Sequence, residues 1–309
     1  MSIAEKLTTI AENEQKVYDA GYRKGIDKRD IVIDKSVTEI TSDVESVGEY
    51  SLYRCTNLTS ATFPNATSIG ERAFHECNAL TSVSAPNVTS IGMYAFYKDE
   101  NLTSVDFPNV TTVDRGAFHM CYGLKSASLP KLTSLADSST FDDCFSLESI
   151  DIPNLRTFGA YDFDMCTSLK SVNFPMAQSV GPYSFNDCTS LTDINFPEAT
   201  DINYNAFQNC SVLKTVDFPK VTVISWNAFV SSGLTTLILR SDTVCIIHHV
   251  ETFANTPLAS GLGYIYVPRA TLDGYKAHAY WKSFANQFRA LEDYTVDGTT
   301  TGALDESKI

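Results

Sequence analysis

The chain has 309 residues with an apolar content of 43%, which suits one large folded domain or two ordinary ones and excludes disorder throughout. Its formal net charge of −14 argues against nucleic acid and anionic lipid, since both need clustered Lys and Arg. No apolar run is long enough to span a bilayer, and the opening MSIAEKLTTIAENEQ has no apolar signal core. The expectation is therefore a chain made in the cytoplasm without a signal peptide, reaching the outside only by another route.

Residues 1–30 predict an N-terminal helix. Ile3, Leu7, Ile10 and Val17 have heptad-like spacing, but these positions are too few to specify a coiled coil. The segment reads either as an oligomerisation or attachment helix, allowing a homo-oligomer, or as a helix docked on the repeats.

Over residues 31–240 the chain repeats. Leu58, Leu80, Leu102, Leu124, Leu147, Leu169, Leu191, Leu213 and Leu234 recur every 22 residues, with single-residue slips near 140 and 232. Proline keeps step from Pro64 to Pro219, and phenylalanine from Phe74 to Phe229. The consensus is L-T-S-V-x-F-P-x-V-T-S-I-G-x-x-A-F-x-x-C. In L-T-S-V-x-F the apolar positions alternate with polar ones, predicting a short strand with one buried face. Proline ends it, having no N–H for a ladder. V-T-S-I-G predicts a second extended piece with glycine freeing the turn out of it. A-F-x-x-C predicts a helical turn with Phe and Cys on one side. One such unit cannot bury its own apolar face; only stacking makes a core.

Cys55, Cys77, Cys121, Cys144, Cys166, Cys188 and Cys210 all stand three residues after the Phe phase, with Asp99 and Ser232 taking that place in two turns. The pattern predicts a column of buried free thiols packing as small hydrophobes. Zinc is disfavoured, because structural zinc sites use close ligand pairs, so no metal and no cofactor are expected. Leu135–Phe141 carries one extra residue and lacks the glycine, and Asp162 stands where alanine is usual, predicting a local bulge or kink there.

This motif resembles the BspA-type leucine-rich repeat over about residues 36–240. The resemblance implies a leucine-rich-repeat solenoid: a right-handed curved β/α superhelix of short parallel strands. It also implies adhesion or protein binding, with no shared catalytic residues to carry over. A-E-K-L-T-T-I-A-E-N-E-Q-K-V-Y-D-A-G-Y in the N-terminal segment, and the ending Y-V-P…Y-K…W…F-A, are similar to segments of prophage-encoded proteins of Gram-positive gut bacteria. That similarity implies a virion or tail-associated protein, extracellular after lysis; without it the chain would be cytoplasmic.

After Leu239 the pattern fades. Residues 241–294 predict a C-terminal α+β cap with strands at Thr243–Ile247 and Tyr264–Val267. A helix over Ala270–Ala290 would set Trp281, Phe284 and Phe288 on one face. Residues 295–309, polar and rich in Gly and Thr, predict a flexible tail.

No nucleophile elbow, zinc-protease helix, P-loop or dinucleotide fingerprint occurs, so no catalytic residue is expected. His248 and His249, adjacent on a strand, would face opposite ways, one buried and one exposed. N-x-T triplets such as Asn87-Val88-Thr89 arise from the repeat and do not argue for glycosylation.

What the repeat creates is surface. Outward strand positions from Ser60 to Thr236, flanked by the column from Thr62 to Ile238, predict a flat, small, hydrophilic face. The column just after Phe is more varied: Tyr53, His75, Tyr97 and His119, then Asp142, Asp164, Asn186, Gln208 and Val230. Tyr50, Arg72, Tyr94, Tyr161 and Tyr183, three residues earlier, fall on the same side. These aromatics form either a recognition ridge or a shield for the coil edges. The leading expectation is a non-enzymatic binding protein, a phage tail-associated or receptor-recognition component engaging a bacterial surface protein or glycan. The alternatives are a BspA-type adhesin or interaction scaffold and, last, an enzyme with a site in the C-terminal cap.

Overall fold

The computed structural model describes residues 36–135, 138–305 and 307; the helix expected over 1–30 lies outside them. Two compact units divide the chain. Met1–Leu132 and Ser139–Ile152 form one, and Thr133–Ser138 and Pro153–Ile309 the other. Each is a β-solenoid built from the expected coil. Among the described residues no helix is long and apolar enough to cross a membrane.

In the first unit, Glu39–Thr41, Ser60–Thr62 and Ser82–Ser84 make one parallel sheet, and Ser104–Asp106, Ser126–Ser128 and Ser149–Asp151 another. Equal phases pair: Ser60 faces Ser82 and Ser104 faces Ser126. Each middle residue turns inward, as Ala61 and Val105 do. The second extended piece gives Ser68–Ile69, Ser90–Ile91 and Thr112–Val113, again parallel. Polar positions of the motif tie the coils together. The Thr81 hydroxyl donates to the Thr59 carbonyl at 2.9 Å and the Thr89 hydroxyl to that of Thr67 at 3.1 Å. The Asn87 amide donates to the Pro64 carbonyl at 2.7 Å, so both polar residues of this N-x-T triplet bond the preceding coil.

The A-F-x-x-C segment is not the helical turn expected of it. Amides of Ser51, Tyr53 and Cys55 donate three residues back, whereas those of Tyr50, Leu52 and Arg54 donate to Glu71, Ala73 and His75 of the next coil, each at 2.8 Å. A helix keeps its amides for itself; here alternate ones leave. Sending them out takes a left-handed backbone at every fourth residue, with φ of 57° at Tyr50 and 59° at Arg54. The same pair recurs at Arg72 and Glu76, and at Tyr94 and Lys98. A non-glycine residue pays roughly 1–2 kcal/mol in that region. A buried amide without a partner costs a similar amount, and the inter-coil bond removes that cost. Gly70 and Gly92 also differ from expectation, because neither has a left-handed φ. A Cβ on Gly92 would lie 2.7 Å from the Glu71 nitrogen, so glycine here permits close approach of coils.

The second unit repeats the plan. Ser179–Val180, Asp201–Ile202, Val223–Ile224 and Ile246–Ile247 form one parallel row. Thr215–Phe218, Thr236–Leu239, Tyr264–Val267 and Phe288–Ala290 form another. Coil geometry runs on past Leu239. Phe253 stacks on Phe229 at 5.8 Å and 12°, and Asn255 takes the left-handed φ of 61° that Ser231, at 57°, has one coil earlier. At the irregular stretch the described residues Ser138 and Ser139 both have positive φ, 83° and 57°. Asp162, in the alanine phase, is buried and accepts from the Gly159 amide at 2.7 Å.

Ala270–Ala290 is not one helix. It breaks into 3-10 turns at Arg269–Thr271 and Trp281–Phe284, a short helix at Leu272–Ala277 and the strand Phe288–Ala290, which adds to the sheet beside Tyr264–Val267. Trp281, Phe284 and Phe288 are still buried, and the Trp281 indole N–H donates to the Cys245 carbonyl at 2.6 Å. Pairing with a sheet edge and a buried indole bond outweigh helix propensity here. His248 and His249 are both exposed, contrary to the expected split, since the strand ends at Ile247. The described part of the 295–309 segment folds back: Arg240 Nη1 donates to the carbonyls of Thr300 and Gly302 at 2.6 and 3.0 Å, and Leu304 packs near Ile238, Tyr266 and Leu291. Ile238, expected on the hydrophilic face, is thereby buried.

All eight cysteines are buried, and none is joined in a disulfide. Their thiols do more than fill space. Each of Cys77, Cys121 and Cys144 in the first unit donates to the Phe-phase carbonyl of the preceding coil, Leu52, Phe96 and Phe118, at 2.9, 2.9 and 3.2 Å. Cys188 and Cys210 do the same to Phe163 and Phe185 in the second, at 3.2 and 3.1 Å. Desolvation pushes the Cys121 and Cys188 thiols well up, which keeps them protonated and able to donate. Asp99 interrupts this column. It is fully buried, accepts from the Cys77 amide at 2.7 Å through Oδ1, and leaves Oδ2 without a partner. Burial drives its carboxyl far above the usual range.

These two phases can be tested. A folded-state pKa raised above the unfolded one stabilises below the unfolded value and loses that stability as pH rises. Asp99→Cys, restoring the thiol clip, is thus expected to stabilise by about 1–3 kcal/mol, with a gain larger at pH 8 than at pH 4 in urea unfolding. A gain independent of pH would show that Asp99 is not held neutral. Asn209 has φ of 60°. Asn209→Val should cost about 1–3 kcal/mol and Asn209→Gly little; equal unfolding midpoints for the two would contradict the strain argument.

Candidate ligand-binding surface

The left-handed turns aim side chains outward in two phases, one at Tyr50, Arg72 and Tyr94, the other just after each Phe. Because coils stack in register, residues of one phase become neighbours. In the first unit the ring centroids of Tyr53 and His75 lie 4.9 Å apart, those of His75 and Tyr97 4.6 Å, and those of Tyr97 and His119 5.3 Å. Tyr50 joins at 5.7 Å from Tyr53, and Tyr94 meets Tyr97 edge to face at 5.5 Å and 86°. The Arg72 guanidinium lies between Tyr50 and Tyr94, 5.6 and 5.3 Å from their ring centres. Arg72 also donates to the Tyr50 hydroxyl at 2.7 Å and pairs with Glu71. Arg54 lies 5.2 Å from the centre of the Tyr53 ring and binds Glu76 at 2.5 Å. Gly116 holds the next place in the Tyr94 phase, where any Cβ would strike the Tyr94 ring.

Seven of the nine expected site residues are therefore one continuous ridge: Tyr50, Tyr53, Arg72, His75, Tyr94, Tyr97 and His119. They are half-buried rather than fully exposed, because each ring shields its neighbours. Desolvation holds the His75 imidazole down at about 4 and lowers that of His119, so both are neutral at pH 7. It likewise raises the Tyr50 and Tyr97 phenols. The ridge is thus a neutral, polar-edged aromatic strip, and its cations, Arg54 and Arg72, are paired with Glu76 and Glu71.

Tyr161 and Tyr183 belong to the second unit and build their own stack. Their rings lie 4.6 Å apart at 8°, with Tyr204 edge-on to Tyr183 at 5.4 Å. Tyr204 and Trp226 were missed from sequence although they carry the most exposed rings of this stretch, at 46% and 62%. They sit one residue before the left-handed phase, a column occupied elsewhere by Glu49, Glu71, Met93 and Arg115, and tracking that column would have found them. Trp226 lines a depression of about 200 Å³ with Asn227, His249 and Glu251. His249 Nδ1 accepts from the Glu251 amide at 3.2 Å. The geometry offers stacking faces and hydrogen-bond donors and acceptors, which serve binding.

The family model described as BspA type leucine rich repeat region matches residues 34–144 and 133–258. Among solved structures, a leucine-rich repeat protein from Bacteroides ovatus is 23% identical, covering 83% of this chain and 84% of that one, with a TM-score of 0.40. A leucine rich cell surface protein from Faecalibacterium prausnitzii is 19% identical over 81% of this chain and 90% of its own, TM-score 0.39. The pneumococcal vaccine antigen PcpA is 15% identical over 82% and 83%, TM-score 0.35. No curated protein matches the chain. With its coil, its phases and a family match spanning most of its length, the chain belongs to the BspA-type leucine-rich repeat family.

Proposed function

We propose that this leucine-rich-repeat scaffold is a recognition protein that engages a protein or glycan on a bacterial surface through the aromatic ridge of the first unit. The observation that carries the reading is the ring pile Tyr53–His75–Tyr97–His119 with its flanking Tyr50, Arg72 and Tyr94. A coil edge needs covering, but aliphatic side chains would cover it as well. Rings with polar edges, held rigid by mutual stacking, lose little entropy on binding and present both an apolar face and hydrogen-bonding groups. Sugars and protein loops both suit such a strip. The similarity of the N-terminal segment and the C-terminal ending to prophage-encoded proteins supports a tail-associated setting, with release by lysis.

Tyr94→Ala combined with Tyr97→Ala is expected to weaken capture of target bacteria or arrayed glycans at least tenfold. Because both rings are packed, the truncation also costs about 1–2 kcal/mol of stability. The corresponding double Phe variant keeps the stack and separates the two effects: it should retain the wild-type melting temperature and most of the binding. Full capture by a folded double Ala variant would exclude this ridge as the site.

A further inference from the structure

The ring pile ends at His119, and the next residue in its column is not aromatic but Asp142, followed by Asp143. His119 Nδ1 lies 3.2 Å from the Asp142 carbonyl oxygen and 3.4 Å from its Oδ2. One donor atom each from His119, Asp142 and Asp143 lies within 4.8 Å of the others, and all three residues are partly buried. We propose that these residues form a site for a divalent first-row transition cation, with Zn²⁺ as the representative ion.

Lone pairs face one another in this cluster. An imidazole nitrogen directed at two oxygens of one aspartate, with a second carboxylate alongside, needs something electropositive among them. In the free chain that is the proton on Nδ1. A cation can take its place while the proton moves to Nε2, so the ring stays neutral and no proton is lost. Two carboxylates and one imidazole suit Zn²⁺, Co²⁺, Ni²⁺ or Mn²⁺, whereas Ca²⁺ and Mg²⁺ favour all-oxygen sets. Bonds of about 2.0–2.2 Å set ligand atoms roughly 3–3.5 Å apart, so the donors need close by only about an ångström. The site would clip two successive coils, those of Phe118 and Phe141, where the spacing is 23 residues instead of 22.

The test uses the untagged full chain at pH 7.5. Zn²⁺ is expected to bind one per chain by calorimetry, tighter than about 100 µM, and to raise the melting temperature by several degrees. Co²⁺ at the same site should give a visible absorption band, while Mg²⁺ and Ca²⁺ at equal concentration should leave the melting temperature unchanged. Asp143→Asn, which the left-handed backbone at 143 accepts, should weaken Zn²⁺ at least tenfold, and His119→Phe, which keeps the ring pile, should do the same. Absence of binding in the wild-type chain, or equal affinity in wild type and both folded variants, overturns the proposal.

Discussion

The molecule depends on one constraint: every second backbone amide in the corner of a coil must find its partner in the same place of the coil beside it. Alternate amides of the A-F-x-x-C segment leave their own turn, and the carbonyls that receive them must arrive in phase. Where a coil gains a residue, between Phe118 and Phe141, the amides of Phe118 and Met120 still reach the matching carbonyls of Thr140 and Asp142, at 2.9 and 2.8 Å, because an unpaired buried amide is costly. Equal phase brings equal side chains together. Phe74, Phe96, Phe118 and Phe141 stack 4.9–5.2 Å apart with nearly parallel rings, as do Phe163, Phe185 and Phe207 in the second unit at 5.4 Å. The left-handed turns are the local cost of that phasing, and they aim the ridge side chains outward.

This division of labour explains which residues are free to act. Leucine, phenylalanine and cysteine are taken up by the core. Threonine and asparagine in the polar phases of the repeat are taken up by carbonyls of the preceding coil, as Thr81, Thr89 and Asn87 show. Even cysteine has a polar task, its thiol closing onto a carbonyl one coil back. Among the positions left over are the two outward phases at the left-handed turns, which the fold constrains only in backbone. Their rings pack against one another because the coil spacing is close to the spacing of stacked aromatics, about 4.8 Å.

The C-terminal end solves the problem of an open solenoid edge. A divergent last coil keeps the Phe ladder through Phe253, and the strands Tyr264–Val267 and Phe288–Ala290 extend the sheet. Tyr275 and Trp281 then fix Cys245 through its amide and carbonyl, at 2.9 and 2.6 Å. Arg240 binds Asp217 through its guanidinium and holds the backbone of Thr300 and Gly302, bringing Leu304 over Ile238. A residue of the repeat that looks exposed is buried by a segment that looks mobile.

The period, the inward residues, the thiol column and the family were legible in the sequence, because each coil repeats the same short-range pattern and stacking multiplies it. The ridge in the first unit was legible too, since one phase becomes one column. Three things were not. The A-F-x-x-C turn carries helical spacing, but its amides are claimed by another coil, and no local pattern records that competition. Trp226 and Tyr204 stand in a column whose other members, such as Glu49, Glu71, Met93 and Arg115, are charged or aliphatic, so they stand out only when that column is followed along the coils. The C-terminal helix dissolved into strand and 3-10 turns because a waiting sheet edge, absent from any local window, offered its backbone better partners. The sequence by itself determined what stacks and with what period; the tertiary structure decided where each amide found its partner, and through that which side chains were left facing out.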